Sequence, residues 1–191
     1  MIDIWSETAV ATEERRMWAL ALEVQESLGV PTPANAVADY TREIDNIDFA
    51  SIAAREKITG HDVAARKAEF DALAGHSLAH RGFTSRDNTD NMEQLRIMSS
   101  LLHVQRRTCA ILHRLHQKSS LWKQVDVCGR SHRQPGQVTT YGKRMATIAG
   151  EFFYACKALD HLIEDYVYRG FYGAMGTGQD LKALLESEEL L

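Results

Sequence analysis

The length, composition and charge of the chain limit what it can be. Its 191 residues, 45% of them hydrophobic, suit one globular domain, or one domain plus part of another, with a proper core. Because 22 basic side chains stand against 26 acidic ones and no basic stripe occurs, we expect neither nucleic acid nor a membrane as a partner.

The cysteines and the N-terminal residues indicate the compartment. Cys109, Cys128 and Cys156 form no Cys-x-x-Cys pair, which is typical of reduced thiols. The longest apolar run, residues 17–22, is far shorter than a membrane span, and Met1 does not open a signal peptide. We therefore expect a soluble, cytoplasmic protein.

The first periodic segments are helical. One covers residues 6–28, is rich in Ala, Glu, Arg and Leu, and ends at Gly29 and Pro31, a glycine and a breaker. The next segment is predicted to begin with Thr32 as its N-cap and Pro33 at its first helical position.

Two shorter helices and a polar loop are predicted next. One helix runs from Asp48 to about Lys57, and a second runs from near His61 to Ala74 and stops at Gly75. The stretch GHSLAHRGFTSRDNTDN, residues 75–91, is polar and rich in turn-forming residues, which predicts a loop.

Two long helices dominate the second half of the sequence, because apolar side chains recur there at steps of three and four residues. They include Met92, Leu95, Met98, Leu102, Cys109 and Leu112 in the first helix and Met145, Ile148, Phe152, Cys156, Leu159 and Ile163 in the second. Each helix is predicted to have about thirty residues, or roughly 45 Å of length. Two such stripes cannot cover each other alone, so we expect a bundle with partner helices.

The sequence therefore predicts an all-α fold, since its only weak strand candidate is QVDVC, residues 124–128. We expect an N-terminal helical domain over residues 1–90. Residues 91–191 are expected to form the start of a central long-helix bundle that is incomplete in this chain.

Polar side chains cluster at three predicted helix starts: residues 59–63, residues 80–87, and a segment around His132. Helix N-termini present free N–H groups and partial positive charge, which suit anionic ligands. Taken singly, several of the polar residues are interpreted as helix caps: Thr59, Asp62, Thr84, Ser85, Asp87 and Thr139. A histidine in each cluster favours instead a site that holds a phosphate or carboxylate while imidazole handles protons.

Metal and nucleophilic chemistry are disfavoured. His76 and His80 stand four residues apart, as in many zinc pairs, but have no third ligand nearby in sequence, so we predict no metal site. The glycine-rich GAMGTG, residues 173–178, lacks the ending of a phosphate loop and is interpreted as a tight turn between helices. The sequence has no Gly-x-Ser-x-Gly elbow, and no cofactor is expected.

Three motifs in order carry a resemblance to a known group: HRGFTSRDNTDN, GRSHRQPGQVTTYGKRMA and RGFYGAMGTGQD. They resemble the fumarase/aspartase superfamily and, within it, most of all the adenylosuccinate lyases. EKITGHDVAAR is similar to the Thr-Arg/Lys-His-Asp-Val element of that family, and residues 4–30 resemble its first long helix. The resemblance covers almost the whole chain.

The resemblance implies a fumarase/aspartase-like fold and a β-elimination. Adenylosuccinate lyases release fumarate from adenylosuccinate, which gives AMP, and from the succinyl-carboxamide intermediate of purine synthesis. One group must protonate the departing nitrogen while another takes the carbon proton. His132 matches the general acid of the family. The other matching positions are substrate contacts at His61 and Asp62, ligand-binding hydroxyls at Thr84 and Ser85, and supporting residues at His80, Asp87 and Gln134.

The sequence also departs from the family pattern. Gly60 stands where Arg or Lys is usual, and two family elements are missing: the Arg-Tyr pair ahead of the first helix and the third signature, Gly-Ser-Ser-x-Met-Pro-x-Lys, with its serine base. We therefore expect an N-terminal portion of a lyase that is inactive alone. In the complete protein, the resemblance implies a homotetramer whose active sites each draw on three subunits.

Two alternatives stay open. The first is another lyase of the superfamily, acting on argininosuccinate or a muconate. The second is a non-catalytic helical module that kept the oligomerising helices. Gly60 and the missing third signature favour the module, whereas the retained His132, Thr84 and Ser85 count against it.

Overall fold

The computed structural model describes residues 1–186. The elements in chain order are α1 (Ile2–Trp5), α2 (Glu7–Ser27), α3 (Ala36–Arg42), α4 (Phe49–Thr59), α5 (Asp62–Ala74), α6 (Ser85–Leu121), β1 (Asp126–Ser131), β2 (Gln134–Thr140), α7 (Tyr141–Glu164) and α8 (Gln179–Glu186). They form two compact units. The N-terminal unit comprises Met1–Arg96 and the segment from Tyr168 onward, and the hairpin unit comprises Ile97–Val167. Within residues 1–186, the fold is helical apart from the hairpin of β1 and β2, whereas the predicted boundary near residue 90 stays a prediction.

Local capping explains where several helices of the N-terminal unit begin or end. Ser6 accepts a hydrogen bond from the Ala9 N–H at the start of α2, and Asp48 accepts one from Ser51 at the start of α4. Gly75 adopts φ +76° after α5, a left-handed conformation that glycine tolerates without strain. The predicted positions of these ends are therefore confirmed.

The predicted start of α3 is wrong. The helix begins at Ala36, after Asn35 in a left-handed conformation, rather than at Pro33. The hydroxyl of Thr32 donates to the carbonyl oxygen of Val30 (3.0 Å). Because this bond points back along the chain, Thr32 does not cap a helix.

The core of the N-terminal unit lies between α2, α3 and α5. Its members are Trp18, Ala19, Leu22, Ala36, Tyr40, Val63, Phe70, Ala74 and Ala79. The ring of Tyr40 packs against Phe70 with centroids 5.0 Å apart. The buried ion pair of Arg15 and Glu69 lies beside this core, where Arg15 also donates to the carbonyl oxygen of Glu43 (2.6 Å).

The hydroxyl of Tyr40 fixes the polar segment that follows α5. It donates to the carboxylate of Asp71 and accepts from the backbone N–H groups of Leu78 (2.9 Å) and Ala79 (3.1 Å). Burial, followed by the hydrogen bond to Asp71, raises the pKa of Tyr40 far above its usual value. A short, otherwise irregular segment is thereby attached to the core.

The hairpin unit consists of two antiparallel helices joined by the β-hairpin. The Nε2 of Gln105 in α6 donates to Asp160 in α7 (2.6 Å). At the other end of the pair the helices approach closely, since a Cβ on Gly142 would lie 2.4 Å from the carbonyl oxygen of Ser119. The helices have 37 and 24 residues, against about thirty expected for each. No helix among the described residues is long and apolar enough to span a membrane.

The Tyr40 hydroxyl gives a direct test of this fold. A Tyr40→Phe change leaves the backbone N–H of Leu78 without its buried acceptor, while the N–H of Ala79 keeps only its bond to Asp71 (3.2 Å). We expect the free energy of unfolding to fall by about 1 to 3 kcal/mol, measured by urea denaturation. A Thr41→Val change, which removes an exposed hydroxyl on the same helix, serves as the control and should change it far less. Equal stability of the Phe variant and the parent would contradict this role.

Candidate functional site

An open cleft of about 310 Å³ lies between the starts of α5 and α6 in the N-terminal unit. Its lining consists of Gly60, His61, Asp62, Val63, Ser85, Arg86 and Thr89. The Nε2 of His61 lies 3.3 Å from the hydroxyl of Ser85. Three of the residues predicted to bind substrate, His61, Asp62 and Ser85, are thus brought together at one cleft.

His61 occupies the N-cap position of α5, and its Nδ1 accepts from the backbone N–H of Ala64 (3.4 Å). A neutral ring that accepts at Nδ1 carries its proton on Nε2, which then donates to Ser85. This leaves the Ser85 hydroxyl hydrogen available to a ligand oxygen. The Asp62 carboxylate also lies 3.4 Å from Nδ1, so a protonated ring would still find a partner.

The predicted capping role of Thr59 is wrong. Thr59 is the last residue of α4, and its hydroxyl accepts from the backbone N–H of His61 (3.3 Å) and donates to the carbonyl oxygen of the same residue (3.2 Å). Gly60, between them, adopts φ +63°, which ends α4 and lets α5 begin two residues later. The glycine that replaces the basic residue of the family pattern therefore serves as a helix terminator.

A series of ion pairs favours the negatively charged form of Asp62 at the mouth of the cleft. Burial acts to raise the pKa of Asp62, but the backbone N–H of Val63 and the guanidinium of Arg66 outweigh it and hold the pKa below its usual value. Arg66 binds Asp62 (3.0 Å) and, on its other side, the buried carboxylate of Glu14 (2.6 Å). The contributions of Arg66 and Glu14 were not predicted, because the two residues lie 52 positions apart.

Thr84 and Asp87 form the N-terminal cap of α6. The carboxylate of Asp87 accepts from the backbone N–H of Thr84 (2.9 Å), and the carbonyl oxygen of Thr84 accepts from the N–H of Asp87 (3.0 Å). The helix therefore begins at Ser85, inside the stretch that was predicted to be a loop up to residue 91. This early start places Ser85, Arg86 and Thr89 on one helical turn at the cleft.

Asp87 also binds the glycine-rich segment near the end of the described chain. The Nη1 of Arg169 donates to Asp87 (2.7 Å), and the backbone N–H of Gly173 lies 3.2 Å from both carboxylate oxygens. Asn91, one turn along α6, exchanges two hydrogen bonds with the backbone of Gly170 (2.9 and 3.0 Å). The segment predicted as a tight turn thus lies directly against the start of α6.

His80 packs against Trp18 and Phe83 and does not line the cleft. Its Nδ1 accepts from the indole N–H of Trp18 (3.1 Å), and its ring packs edge-on against Trp18 and Phe83. Burial, and then the charge of Lys67, lowers the pKa of His80, which keeps the ring neutral. Its backbone adopts φ +70°. These contacts hold the polar segment between α5 and α6 in place.

His76 and His80 do not form a metal pair in this structure. His76 lies 2.9 Å from the carboxylate of Asp39 instead, and this hydrogen bond lowers the pKa of Asp39. Within residues 1–186, no group of three or more His, Cys, Asp or Glu side chains is arranged to hold a metal ion.

His132 lies at the tip of the β-hairpin and not just ahead of a helix. Ser131 pairs with Gln134, and the two residues between them, His132 (φ +47°) and Arg133 (φ +67°), form the turn. Positive φ at both central residues is the geometry that matches the twist of two paired strands. The helix α7 begins only at Tyr141, capped by Thr140 rather than the predicted Thr139. The prediction missed the hairpin because the turn contains no glycine.

Gly129 fixes the register of the hairpin that carries His132. The pairing shifts between Cys128 and Arg130, as at a β-bulge, and a Cβ on Gly129 would lie 2.8 Å from the carbonyl oxygen of Gln137. The side chains of His132 and Gln134 are exposed. The hairpin therefore presents the imidazole to its surroundings on a strained two-residue turn, a conformation that often marks a functional position.

The Asp87 cap can be tested with two related variants. Asp87→Asn removes the charge that Arg169 binds, so we expect the free energy of unfolding to fall by about 2 to 4 kcal/mol and amide exchange to rise at residues 169–173. Asp90→Asn is the matched control, since Asp90 is more exposed and lies 3.7 Å from the same guanidinium. The Asp90→Asn change should lower the free energy of unfolding by less than about 1 kcal/mol. Similar losses for both variants would contradict a special role of Asp87.

Comparison with known proteins places these features in a family context. No family model matches the sequence. The adenylosuccinate lyase of Caenorhabditis briggsae is 30% identical over 192 residues, which cover 99% of this chain and 40% of that protein. The adenylosuccinate lyase of Schistosoma mansoni is 29% identical over 178 residues, which cover 91% and 37%. The chain therefore spans about 40% of the length of these curated relatives.

Solved structures show the same fold. The 3-carboxy-cis,cis-muconate lactonizing enzyme of Pseudomonas putida matches with a TM-score of 0.82 and 19% identity, over 99% of this chain and 46% of that one. A fumarate lyase from Mesorhizobium sp. BNC1 matches with a TM-score of 0.75 and 20% identity, over 99% and 47%. Together, these comparisons show that the chain is similar in sequence to adenylosuccinate lyases over nearly its whole length and shares the fold of a fumarate lyase and a muconate lactonizing enzyme.

Proposed function

We propose that this chain provides the proton donor and part of the substrate-binding surface of an adenylosuccinate lyase. The reaction is the β-elimination of fumarate from adenylosuccinate, which yields AMP, and from succinyl-aminoimidazole-carboxamide ribotide. The observation that carries the proposal is the exposed imidazole of His132 on a hairpin tip whose register is fixed by Gly129. Similarity to adenylosuccinate lyases over 99% of the chain supports it.

The cleft of the N-terminal unit suits the anionic groups of such a substrate. A succinyl-amine nucleotide carries two carboxylates and a phosphate, which need hydrogen-bond donors and positive charge. The Ser85 hydroxyl, the Arg86 guanidinium and the first N–H groups of α5 and α6 supply these around the cleft. In this proposal, Thr84 contributes its hydroxyl, while Asp62 positions His61 and Asp87 positions the start of α6.

His132 acts as the general acid. As the carbon–nitrogen bond breaks, the imidazolium donates its proton to the departing nitrogen, so that no amide or amine anion is released. The hairpin also places Arg130 and Arg133 beside this residue, and Gln134 pairs with the strand residue before the turn. The general base, which must take the proton from the neighbouring carbon, has no candidate serine motif in these 191 residues. We therefore propose that the isolated chain is inactive.

Self-association through the hairpin unit is part of the proposal. Large apolar side chains of α6 and α7 remain exposed in a single chain: Val104 (47%), Ile111 (41%), Ile148 (41%), Phe153 (49%), Tyr154 (73%) and Leu162 (52%). Helix faces of this kind are usually covered by partner helices. A homotetramer, in which different subunits contribute His132 and the cleft, would bury them. We place the assembly in the cytoplasm, because the three cysteines form no disulfide in this structure.

A non-catalytic oligomerisation module is the second candidate. Gly60 favours it, because no basic side chain from this position reaches the cleft. A muconate-type reaction has less support, since the muconate enzymes are similar in fold at 19–20% identity, whereas the curated sequence relatives are adenylosuccinate lyases.

A chimaera tests the catalytic proposal. The matched region of the C. briggsae lyase is replaced by this chain, and fumarate release from adenylosuccinate is followed by ultraviolet absorbance. We expect turnover from the chimaera and none from the 191-residue chain alone. His132→Ala should lower the turnover number of the chimaera by about 10²- to 10⁴-fold, because it removes the general acid.

The matched control is Arg133→Ala at the other central position of the same turn. It should retain most of the activity. A folded, tetrameric chimaera without activity would favour the non-catalytic module. Full activity of the His132→Ala chimaera would contradict the assignment of the acid.

A further inference from the structure

Two cysteines face each other across the helices of the hairpin unit. Gln105 in α6 binds Asp160 in α7 at 2.6 Å. One helical turn further along α6 and one turn back along antiparallel α7, Cys109 and Cys156 occupy the next facing positions. At this position the Cys109 thiol is close enough to the Cys156 thiol to raise its pKa. This proximity follows from the pairing of the two helices and not from a flexible loop.

The two thiols differ in accessibility. Cys109 is exposed, whereas Cys156 is 6% exposed. Burial, and then the neighbouring Cys109, raises the pKa of the Cys156 thiol, so this sulfur stays protonated and is the poorer nucleophile toward a dissolved oxidant. An oxidant arriving from solvent consequently meets Cys109 first, with Cys156 directly behind it.

We propose that Cys109 and Cys156 form a reversible redox pair that closes as an intramolecular disulfide between α6 and α7. With a peroxide, the Cys109 thiolate attacks one peroxide oxygen and becomes a sulfenic acid, while the other oxygen leaves as hydroxide and is protonated to water. The Cys156 sulfur then attacks the sulfur of the sulfenic acid. The sulfur–sulfur bond forms, Cys156 loses its proton, and a second water leaves. Two thiols are thus oxidised and one peroxide is reduced to two waters.

Formation of the disulfide would restrain the hairpin unit, which carries His132. The bond would join α6 and α7 on opposite sides of the β-hairpin in sequence, so that β1, β2 and their turn lie within the closed loop. A covalent link across such a loop reduces the conformational freedom of the unfolded chain. The oxidised hairpin unit is therefore more resistant to thermal unfolding than the reduced one. This inference does not depend on the proposed lyase activity.

Oxidation of the reduced 191-residue chain tests the pair. The chain is treated with hydrogen peroxide at low protein concentration and then analysed by non-reducing peptide mapping. We expect a peptide joined through Cys109 and Cys156, a whole-chain mass lower by two hydrogens, and a higher thermal midpoint. Dithiothreitol should reverse all three changes.

Serine variants test whether the disulfide forms specifically between Cys109 and Cys156. Cys109→Ser, at an exposed position that tolerates a hydroxyl, should abolish the intramolecular bond, and Cys156→Ser should do the same. Cys128→Ser is the matched control, because Cys128 is also exposed but lies in β1, and it should leave the bond intact. The proposal is overturned if Cys109 is oxidised to sulfinic acid while Cys156 stays a thiol, or if cross-links form only between chains.

Discussion

The buried carboxylate of Asp87 is the interaction on which the candidate site of the N-terminal unit depends. It caps α6 through the backbone of Thr84, and it binds Arg169 and Gly173 from a segment more than 80 residues away. Because a carboxylate can accept several hydrogen bonds, one 1%-exposed side chain satisfies three donors from two distant parts of the chain. The position of Ser85 at the cleft follows from this cap.

The rest of the segment between α5 and α6 is held by the core. Tyr40 binds the backbone of Leu78 and Ala79, and Trp18 binds His80. This arrangement explains why a segment with few helical residues still has a defined course. Polar contacts that would be costly to leave unpaired in the interior are satisfied there by buried partners, so the loop has little freedom to rearrange. The structural role of His80 is therefore support of the segment rather than contact with the cleft.

The parts of this fold that were predicted from sequence are those with local causes. Ser6, Asp48 and Gly75 act within one helical turn, so their neighbours in sequence are sufficient to predict them. The predictions failed where the cause lies far away in sequence, or where the residues that usually signal a turn are absent. The start of α6 depends on a cap that was not distinguished from loop residues, and the hairpin at His132 uses two non-glycine residues at positive φ. Nothing in the sequence near Asp87 points to Arg169, whose contact depends on the tertiary fold.

The candidate site was likewise predicted only in part. The resemblance to lyases led to His61 and Ser85, whose Nε2 and hydroxyl the fold brings to 3.3 Å, but Arg86 and Thr89 were not predicted at the cleft. The two units each carry part of the proposed chemistry, the cleft in one and His132 in the other.

The most direct measurement is the structure of the proposed lyase assembly of this chain with adenylosuccinate bound, obtained with a variant that turns over slowly because its general base is replaced. The account predicts that the imidazole of His132 lies within about 3.2 Å of the nitrogen whose bond to the succinyl group is broken. It also predicts an anionic group of the substrate against Ser85. A substrate bound with His132 still in solvent, and another acid at that nitrogen, would contradict the account.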